Sequence, residues 1–338
     1  MCGIQAQDPT EAALSIRVRG VGVSVHDIEK ALFRDRSVVR TWAMRGTLHL
    51  IAVEDLSWLL PVLAPALLPR VARRSAQLGM DESFCRRGVG LIKDALGSHG
   101  PMTRAELAGA LAVKGADISG QRAPALLSRA CLEEIVCHGP PRSEKPTYVL
   151  LSDWIKPMRS LTREAGLREV VFRYISAFGP ASPEDLAAWS GLPVRLARSS
   201  WSAVSDHLTE LEVAGRSAWV LRGQARDPWV SDDGRRPVVR LLAGFDTYLL
   251  GYRDRSLAID PRHSKRINAG GGLVKPTILI DGRVAGTWHH GKIGRSNDVM
   301  LEAFSPIPAD AIPELDAELA DVNRFLGATG ARSSELRA

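Results

Sequence analysis

A pair of short helices followed by two short strands is the pattern that most constrains this chain, because it occurs three times. The clearest copy covers residues 166–222. It begins with an apolar-periodic helix from Leu167 that ends at Gly179-Pro180. A second helix runs from Ser182-Pro183-Glu184-Asp185 to Gly191, and a third covers 194–204. Two strands follow, over 208–213 and 217–221, joined by Ala214-Gly215-Arg216. Repetition of this kind indicates an array of one supersecondary unit.

The other two copies keep the same order with weaker signals. Residues 88–151 contain a helix ending at Gly100-Pro101, a capping box at Thr103-Arg104-Ala105-Glu106, a helix from Gly120 through Leu132, and strands over 134–138 and 147–151 around a Gly-Pro-Pro turn. The weakest copy has a helix over 25–33 and strands over 38–44 and 47–53, joined by Arg45-Gly46.

The last third of the chain has a different pattern. Short β-rich runs over 239–242, 277–280 and 284–288 predict a small antiparallel sheet or barrel, and Asp281-Gly282-Arg283 is a strong hairpin turn. An amphipathic helix over 309–325 follows, and the tail after Gly327 is predicted to be disordered.

These patterns predict an α+β fold, with tandem winged-helix domains followed by a small C-terminal antiparallel β-barrel or sheet. Winged helices contact DNA in some proteins and only other proteins in others, so the pattern alone leaves both functions open. The predicted domains are an incomplete winged helix over 1–80, a second over 81–155, a third over 160–225, a β-barrel with a basic hairpin and a terminal helix over 236–326, and a disordered tail over 327–338.

Composition limits the class of protein. The 338 residues are 45% hydrophobic and 24% charged, as in ordinary globular proteins. The four cysteines have no Cys-x-x-Cys spacing and no histidines at zinc spacing, so we predict no disulfide framework, metal or cofactor.

Charges and prolines interrupt the longest apolar stretch, and the N-terminus lacks a basic-then-apolar leader. We therefore predict a cytoplasmic protein without a membrane span. We also predict a monomer.

The positive charge is concentrated in the C-terminal third. The net charge is +6 and the pI is about 9.3, which favours an anionic partner. Between Arg253 and Arg295 there are nine lysines and arginines against three acidic residues. The loop from Pro261 to Arg266 is either a solvated turn or a phosphate contact. The presumed recognition helices carry few basic residues.

Three motifs resemble those of one bacterial family, the AlkZ-like DNA glycosylases. They are Gly3-Ile4-Gln5-Ala6-Gln7-Asp8-Pro9, Arg40-Thr41-Trp42-Ala43-Met44-Arg45-Gly46-Thr47-Leu48-His49, and Phe245-Asp246-Thr247-Tyr248-Leu249-Leu250-Gly251-Tyr252-Arg253-Asp254-Arg255. The resemblance runs from residue 3 to about Leu326. It implies tandem winged helices with a C-terminal β-barrel, and excision of bulky N7- or N3-alkylated purines from double-stranded DNA, with interstrand crosslinks among the possible substrates.

The resemblance assigns the catalytic role to Gln5 and Gln7. In an extended segment, residues two apart face the same way, so both amides would meet at one point. A purine alkylated at N7 is already cationic and leaves without a general acid. What remains is to hold a water below C1′, and neutral amides offer donors and acceptors for this. Asp8 would point to the opposite side, so we do not assign it the role of base.

The resemblance also places a β-hairpin in the minor groove, and the best match is 262–286. The predicted DNA-contacting residues are Arg45, Arg253, Arg255, Arg262, His263, Lys265, Arg266 and Lys275. The resemblance implies a further helix ahead of the glutamine motif. Either the native N-terminus extends upstream of Met1, which we expect, or the site is held less firmly than in the relatives. The alternative function is that of a non-catalytic winged-helix DNA-binding or regulatory protein.

Overall fold

The computed structural model describes residues 2–156, 160–224, 235–268, 270, 272–290 and 299–327. The chain forms two compact units. The first consists of Met1–Gly3 and Glu29–Arg222, and the second of Ile4–Ile28 and Gly223–Ala338. Residues 4–28 thus fold with the C-terminal third, although the sequence analysis places residues 1–80 in one domain.

The elements within the described residues follow the predicted order closely. The α-helices are α1 (Pro9–Arg17), α2 (Val25–Glu29), α3 (Val53–Gln77), α4 (Glu82–His99), α5 (Arg104–Val113), α6 (Arg122–Leu132), α7 (Leu151–Trp154), α8 (Arg163–Phe178), α9 (Pro183–Ser190), α10 (Val194–Ser202), α11 (Thr247–Leu250), α12 (Ser264–Ile267) and α13 (Ile312–Leu326). The strands are β1 (Ile4–Gln5), β2 (Val38–Trp42), β3 (Leu48–Ala52), β4 (Met102–Thr103), β5 (Val136–Arg142), β6 (Lys145–Leu150), β7 (Leu208–Val213), β8 (Arg216–Leu221), β9 (Val239–Leu242), β10 (Thr277–Ile280), β11 (Arg283–His289) and β12 (Met300–Ala303).

The clearest sequence copy folds as predicted in the first unit. Ser182 and Asp185 form a capping box at the start of α9, and Gly191, at φ +81°, ends it. A Cβ at Gly191 would lie 2.9 Å from the Cα of Arg45, so both its conformation and its close contact require glycine. The turn through Ala214 and Gly215 joins β7 to β8.

The copy over 88–151 differs from its prediction at one turn. The Thr103–Glu106 capping box is present. The Gly-Pro-Pro segment, however, lies within β5, and the chain turns at Ser143 and Glu144, both at positive φ. The hairpin is longer than predicted because the strands continue past the prolines. Behind it, α4, α5 and α6 enclose a buried core.

The weakest copy also forms its hairpin, since β2 pairs antiparallel with β3. The helix predicted over 25–33 is α2 followed by a π-helical turn over Lys30–Arg34. The next helix, α3, is long and apolar enough to cross a membrane by length and composition alone. It contains Pro61, Pro65 and Pro69, and half of its most apolar window is buried inside the protein, as in a core helix.

The second unit contains an antiparallel sheet in the order β12-β11-β10-β9. Asp281 and Gly282, both at positive φ, make the predicted tight turn between β10 and β11. The mixed α+β class is confirmed. Within the described ranges the sheet stays open, so of the two predicted alternatives the small antiparallel sheet is confirmed and the barrel is wrong: four short strands cannot curve far enough to close. The terminal helix starts as a 3-10 turn over Ala309–Ala311 and continues as α13. The tail predicted to be disordered lies outside the described residues.

Candidate catalytic segment and basic surface

The segment that contains Gln5 and Gln7 lies immediately before the first helix. The strand β1 ends at Gln5, a bend follows, and Asp8 caps α1. The Asp8 carboxylate accepts hydrogen bonds from the backbone N–H groups of Thr10 at 2.8 Å and Glu11 at 3.1 Å. Gln5 is 7% exposed, whereas Gln7 is exposed. The strand includes Gln5 but not Gln7, so the alternation expected of an extended segment does not reach the second glutamine. The carboxylate of Asp8, next to Gln7, serves as a helix cap.

Three side chains fasten α1 within the second unit. Glu11, Ser15 and Arg19 are four residues apart and so follow one side of the helix and its last turn. The Glu11 carboxylate accepts a hydrogen bond from the Gly244 N–H at 2.5 Å. The Ser15 hydroxyl donates to the Asp246 carboxylate at 2.6 Å, and the Arg19 guanidinium donates to both Asp246 oxygens at 2.8 and 2.6 Å. We call Glu11, Ser15 and Arg19 the α1 anchor.

Arg17 adds a second buried charge centre. Its side chain is only 1% exposed. The guanidinium contacts Glu318 at 2.8 Å, Asp321 at 3.0 Å and the Leu241 carbonyl at 2.9 Å. Burial raises the pKa of Asp321, but hydrogen bonds from Arg324 and Arg17 lower this pKa overall. The helix that follows the glutamines is therefore tied to both the sheet and α13.

The pair His289-His290 makes contacts with other protein groups. His290 Nε2 lies 3.3 Å from a Glu11 oxygen, and its ring centroid is 5.5 Å from that of Trp288. His289 Nε2 lies 3.1 Å from the sulfur of Met300. In the part of the chain that is described, no three His, Cys, Asp or Glu side chains come together as metal ligands.

The predicted basic loop is helical. Arg262 and His263 lie in a 3-10 turn, and Lys265 and Arg266 lie in α12. The prediction of a β-hairpin over all of 262–286 is therefore wrong for its first third; the hairpin is the later pair β10 and β11. The Asp260 carboxylate accepts a hydrogen bond from the backbone N–H of Arg262 and so caps the start of this 3-10 turn.

Two of the loop cations already have acidic partners. Arg262 Nη2 lies 2.7 Å from Asp260, and Arg266 Nη2 lies 2.6 Å from Glu302. The Arg262 side chain and backbone lower the pKa of Asp260 to about 2. The Arg266 guanidinium also sits 4.1 Å from the ring centroid of Phe304.

The remaining predicted DNA contacts are spread over both units. Arg45 belongs to the first unit, where its guanidinium donates to the carbonyl of Trp189. Arg253 and Lys275 are exposed in the second. Arg255 is partly buried there, 3.4 Å from the Asn268 amide oxygen, and burial lowers its pKa. Lys292 and Arg295 lie outside the described residues.

Sequence reasoning did not find the buried centre at Asp246. One signal was available, because Glu11, Ser15 and Arg19 repeat at the helical spacing of four. Their partners could not be found in the same way, since Asp246 is 231 residues from Ser15.

The chain is similar to known proteins over most of its length. The sequence profile of the family described as DNA glycosylase AlkZ-like matches residues 1–325. The interstrand DNA cross-link repair glycosylase of Streptomyces sahachiroi is 29% identical over 305 residues, which cover 85% of this chain and 80% of that protein. The solved structure of Streptomyces sahachiroi DNA glycosylase AlkZ matches with a TM-score of 0.79 and 26% identity, over 98% of this chain and 90% of the other. Because the profile spans nearly the whole sequence, this chain belongs to the AlkZ-like DNA glycosylase family.

Proposed function

We propose that this enzyme hydrolyses the N-glycosidic bond of bulky cationic alkylpurines, N7 or N3 adducts, in double-stranded DNA. Interstrand crosslinks are included among the substrates, since the Streptomyces relative is named as a crosslink repair glycosylase. We place the enzyme in the bacterial cytoplasm and assign it no cofactor. In this proposal α4–α6 with β5 and β6, and α8–α10 with β7 and β8, act as winged helices on the duplex.

Gln5 and Gln7 are the proposed catalytic residues. An alkylated purine carries positive charge, so departure of the base needs no proton from the enzyme. The amides then have to orient water towards C1′ and to stabilise an oxocarbenium-like transition state. Both tasks depend on fixed donors and acceptors, because positional error removes most of the benefit of proximity.

The observation that carries the proposal is how firmly the helix after the motif is held. Gln7 is followed at once by the Asp8 cap, and the α1 anchor begins at Glu11. The Asp246 carboxylate that receives Ser15 and Arg19 is fully buried. A loop carrying two amides would sample many geometries, whereas a capped and anchored helix start limits them.

The test is single-turnover base release from a duplex that contains N7-methylguanine, and from a duplex that contains a larger N7 adduct. We expect Gln5→Ala combined with Gln7→Ala to slow base release by about 100-fold or more. Duplex affinity should stay within about twofold of wild type. Gln77→Ala, an exposed glutamine in the other unit, is the control and should behave as wild type.

Two outcomes would contradict the proposal. Base release at the wild-type rate by the double variant would remove the catalytic role from the glutamines. Sequence-selective footprints with no base released from either duplex would favour a regulatory DNA-binding protein.

A further inference from the structure

A cavity of about 210 Å³ lies beside the basic turn of the second unit. It opens between the 3-10 turn, the start of β11 and the segment after β12. Its lining combines charged and apolar side chains, among them Asp260, Arg262, His263, Arg283, Val284 and Phe304. Every lining residue belongs to the same unit.

The charged groups around this cavity leave an excess of positive charge. Two guanidinium groups, those of Arg262 and Arg283, line it against a single carboxylate, that of Asp260. The Asp260 carboxylate is occupied, because it accepts hydrogen bonds from the backbone N–H of Arg262 at 2.9 Å and from its guanidinium at 2.7 Å. Among the described residues, Arg283 forms no ion pair, and the nearby Asp281 accepts from the Val238 N–H instead. One cation is thus left for a ligand.

The walls of the cavity are formed before any ligand arrives. The His263 ring stacks on Phe304 with centroids 4.3 Å apart. Phe304 is held by a backbone hydrogen bond to Ala285 at 2.8 Å, and Val284 by one to Ala258 at 2.7 Å. A preformed cavity loses little conformational entropy when a ligand binds.

Size decides which part of a nucleic acid fits. Pockets that enclose a drug-sized ligand typically measure about 300–1,000 Å³. The volume here, about 210 Å³, is below that range. Together with the excess of guanidinium groups, this size favours a small anionic group such as a phosphodiester.

We propose that this cavity binds one backbone phosphate of duplex DNA, with Arg283 and Arg262 as donors and the imidazole of His263 against the same oxygens. The inference rests on the proposed function only in taking duplex DNA as the partner. It assigns the cavity a role in holding the duplex and none in breaking the glycosidic bond. Arg262, which is 82% exposed, would exchange Asp260 for the phosphate, a change that costs little because ion pairs at the surface are weak.

The experiment measures the affinity of the full chain for an unmodified duplex at several salt concentrations. Each phosphate neutralised contributes about 0.9 to the slope of log K against log salt. We expect Arg283→Gln to reduce this slope by up to about 0.9, since Arg262 still faces the same phosphate. Over a fourfold rise in salt, the affinity of the wild type should then fall up to about 3.5-fold more than the affinity of the variant. Asp260→Asn should bind more tightly, because it removes the competing carboxylate.

The control is Arg236→Gln. This arginine lies in the same unit, is 86% exposed, has Glu314 as its partner at 3.4 Å and is not one of the residues that line the cavity. If general charge rather than a site is responsible, Arg236→Gln and Arg283→Gln will change the slope equally, and the proposal is overturned. Thermal melting of each variant checks that it is folded.

A second measurement uses inorganic phosphate and the NMR signals of the His263 imidazole. Saturable shifts in the wild type that are lost in Arg283→Gln support the site, and unchanged signals in the wild type overturn it. Failure of the cavity proposal is distinguishable from failure of the glycosylase proposal, because base release from adduct DNA at saturating enzyme does not depend on the salt slope.

Discussion

The α1 anchor and the basic turn over 261–267 use similar ion pairs in opposite settings. Asp246 is fully buried and receives Ser15 and Arg19. The Asp260 side chain is 32% exposed and receives Arg262, whose side chain is 82% exposed. Both carboxylates also cap a helical turn. The two regions therefore differ in burial far more than in chemistry.

This difference separates two uses of charge. A buried pair with its remaining lone pairs satisfied has one geometry, and losing a partner leaves an uncompensated charge that water cannot reach. An exposed pair is screened by solvent and exchanges partners easily. The first arrangement suits a helix that has to hold catalytic amides in place. The second suits a surface that has to bind and release phosphates.

The largest effect should follow from Asp246→Ala. We expect it to lower the free energy of unfolding by about 3 kcal/mol or more, because Ser15 and the 27% exposed Arg19 lose their acceptor, and each hydrogen bond to a charged group contributes about 1.5–3 kcal/mol. Urea denaturation followed by circular dichroism measures this loss.

Asp260→Ala is the matched change in the exposed setting and should produce a far smaller shift of the urea midpoint. Equal shifts of the urea midpoint for the two aspartate variants would contradict the view that burial distinguishes the two regions.

A smaller effect is expected from Ser15→Ala, which removes a single hydrogen bond to the same carboxylate. A bond to a charged group contributes about 1.5–3 kcal/mol. We also expect slower single-turnover base release with unchanged duplex affinity, because the variant loosens α1 without touching the proposed DNA contacts. Such a split between rate and affinity would not follow from a general loss of stability, provided that the assay is run well below the melting temperature.

The control is Ser152→Ala, since the Ser152 hydroxyl bonds Asp153 at 3.1 Å in an exposed pair. Unchanged base release in Ser15→Ala, despite a measurable loss of stability, would show that the anchor serves folding alone.

Much of the local structure could be predicted from the sequence because its signals are local. The capping boxes at Thr103 and Ser182 and the end of α9 at Gly191 depend on neighbours within a few residues. The turn at Asp281-Gly282 is equally local, since its residue types favour positive φ. The predicted turn at Gly-Pro-Pro is wrong because a non-local interaction decides that position. Pairing between β5 and β6 continues past the prolines as far as Arg142 and Lys145, and it outweighs the local tendency of the prolines to turn.

The site was predictable only in part. Gln5 and Gln7 came from a family motif, and the basic residues from charge counting. Neither route shows that Arg262 is paired with Asp260 while Arg283 has no acidic partner among the described residues. The partners of Arg17 lie about 300 positions away in α13, and only the folded chain brings them together.

The buried imidazole of His138 extends the comparison between buried and exposed polar groups. His138 is buried between Trp42 and Tyr148, and neither ring nitrogen has a hydrogen-bond partner among the residues that the structure describes. Burial, with a contribution from Arg40, lowers the pKa of His138 to about 3. The unfolded chain, with a pKa near 6.5, therefore takes up a proton that the folded chain does not. The stability of the fold should fall as pH drops from about 6.5 towards 3.

We expect His138→Phe to flatten this pH dependence by about 1.4 kcal/mol per pH unit between pH 6 and 4. At pH 7 the substitution should be neutral or stabilising, because it replaces an unsatisfied polar ring with an apolar one of similar shape. Denaturation midpoints at several pH values measure both effects. An unchanged pH dependence would show that His138 is protonated in the folded state.

The smallest effect is expected for the exposed pair of Arg266 and Glu302. Their side chains are 42% and 60% exposed. A double-mutant cycle with Arg266→Gln and Glu302→Gln should give a coupling energy of about 0–1 kcal/mol, even though the two groups are only 2.6 Å apart. Raising the salt to about 1 M should reduce it further, because the screening length falls to about 3 Å. A coupling above about 2 kcal/mol that persists in salt would place this pair with the buried ones, and Arg266 would then be a structural residue that is not available to DNA.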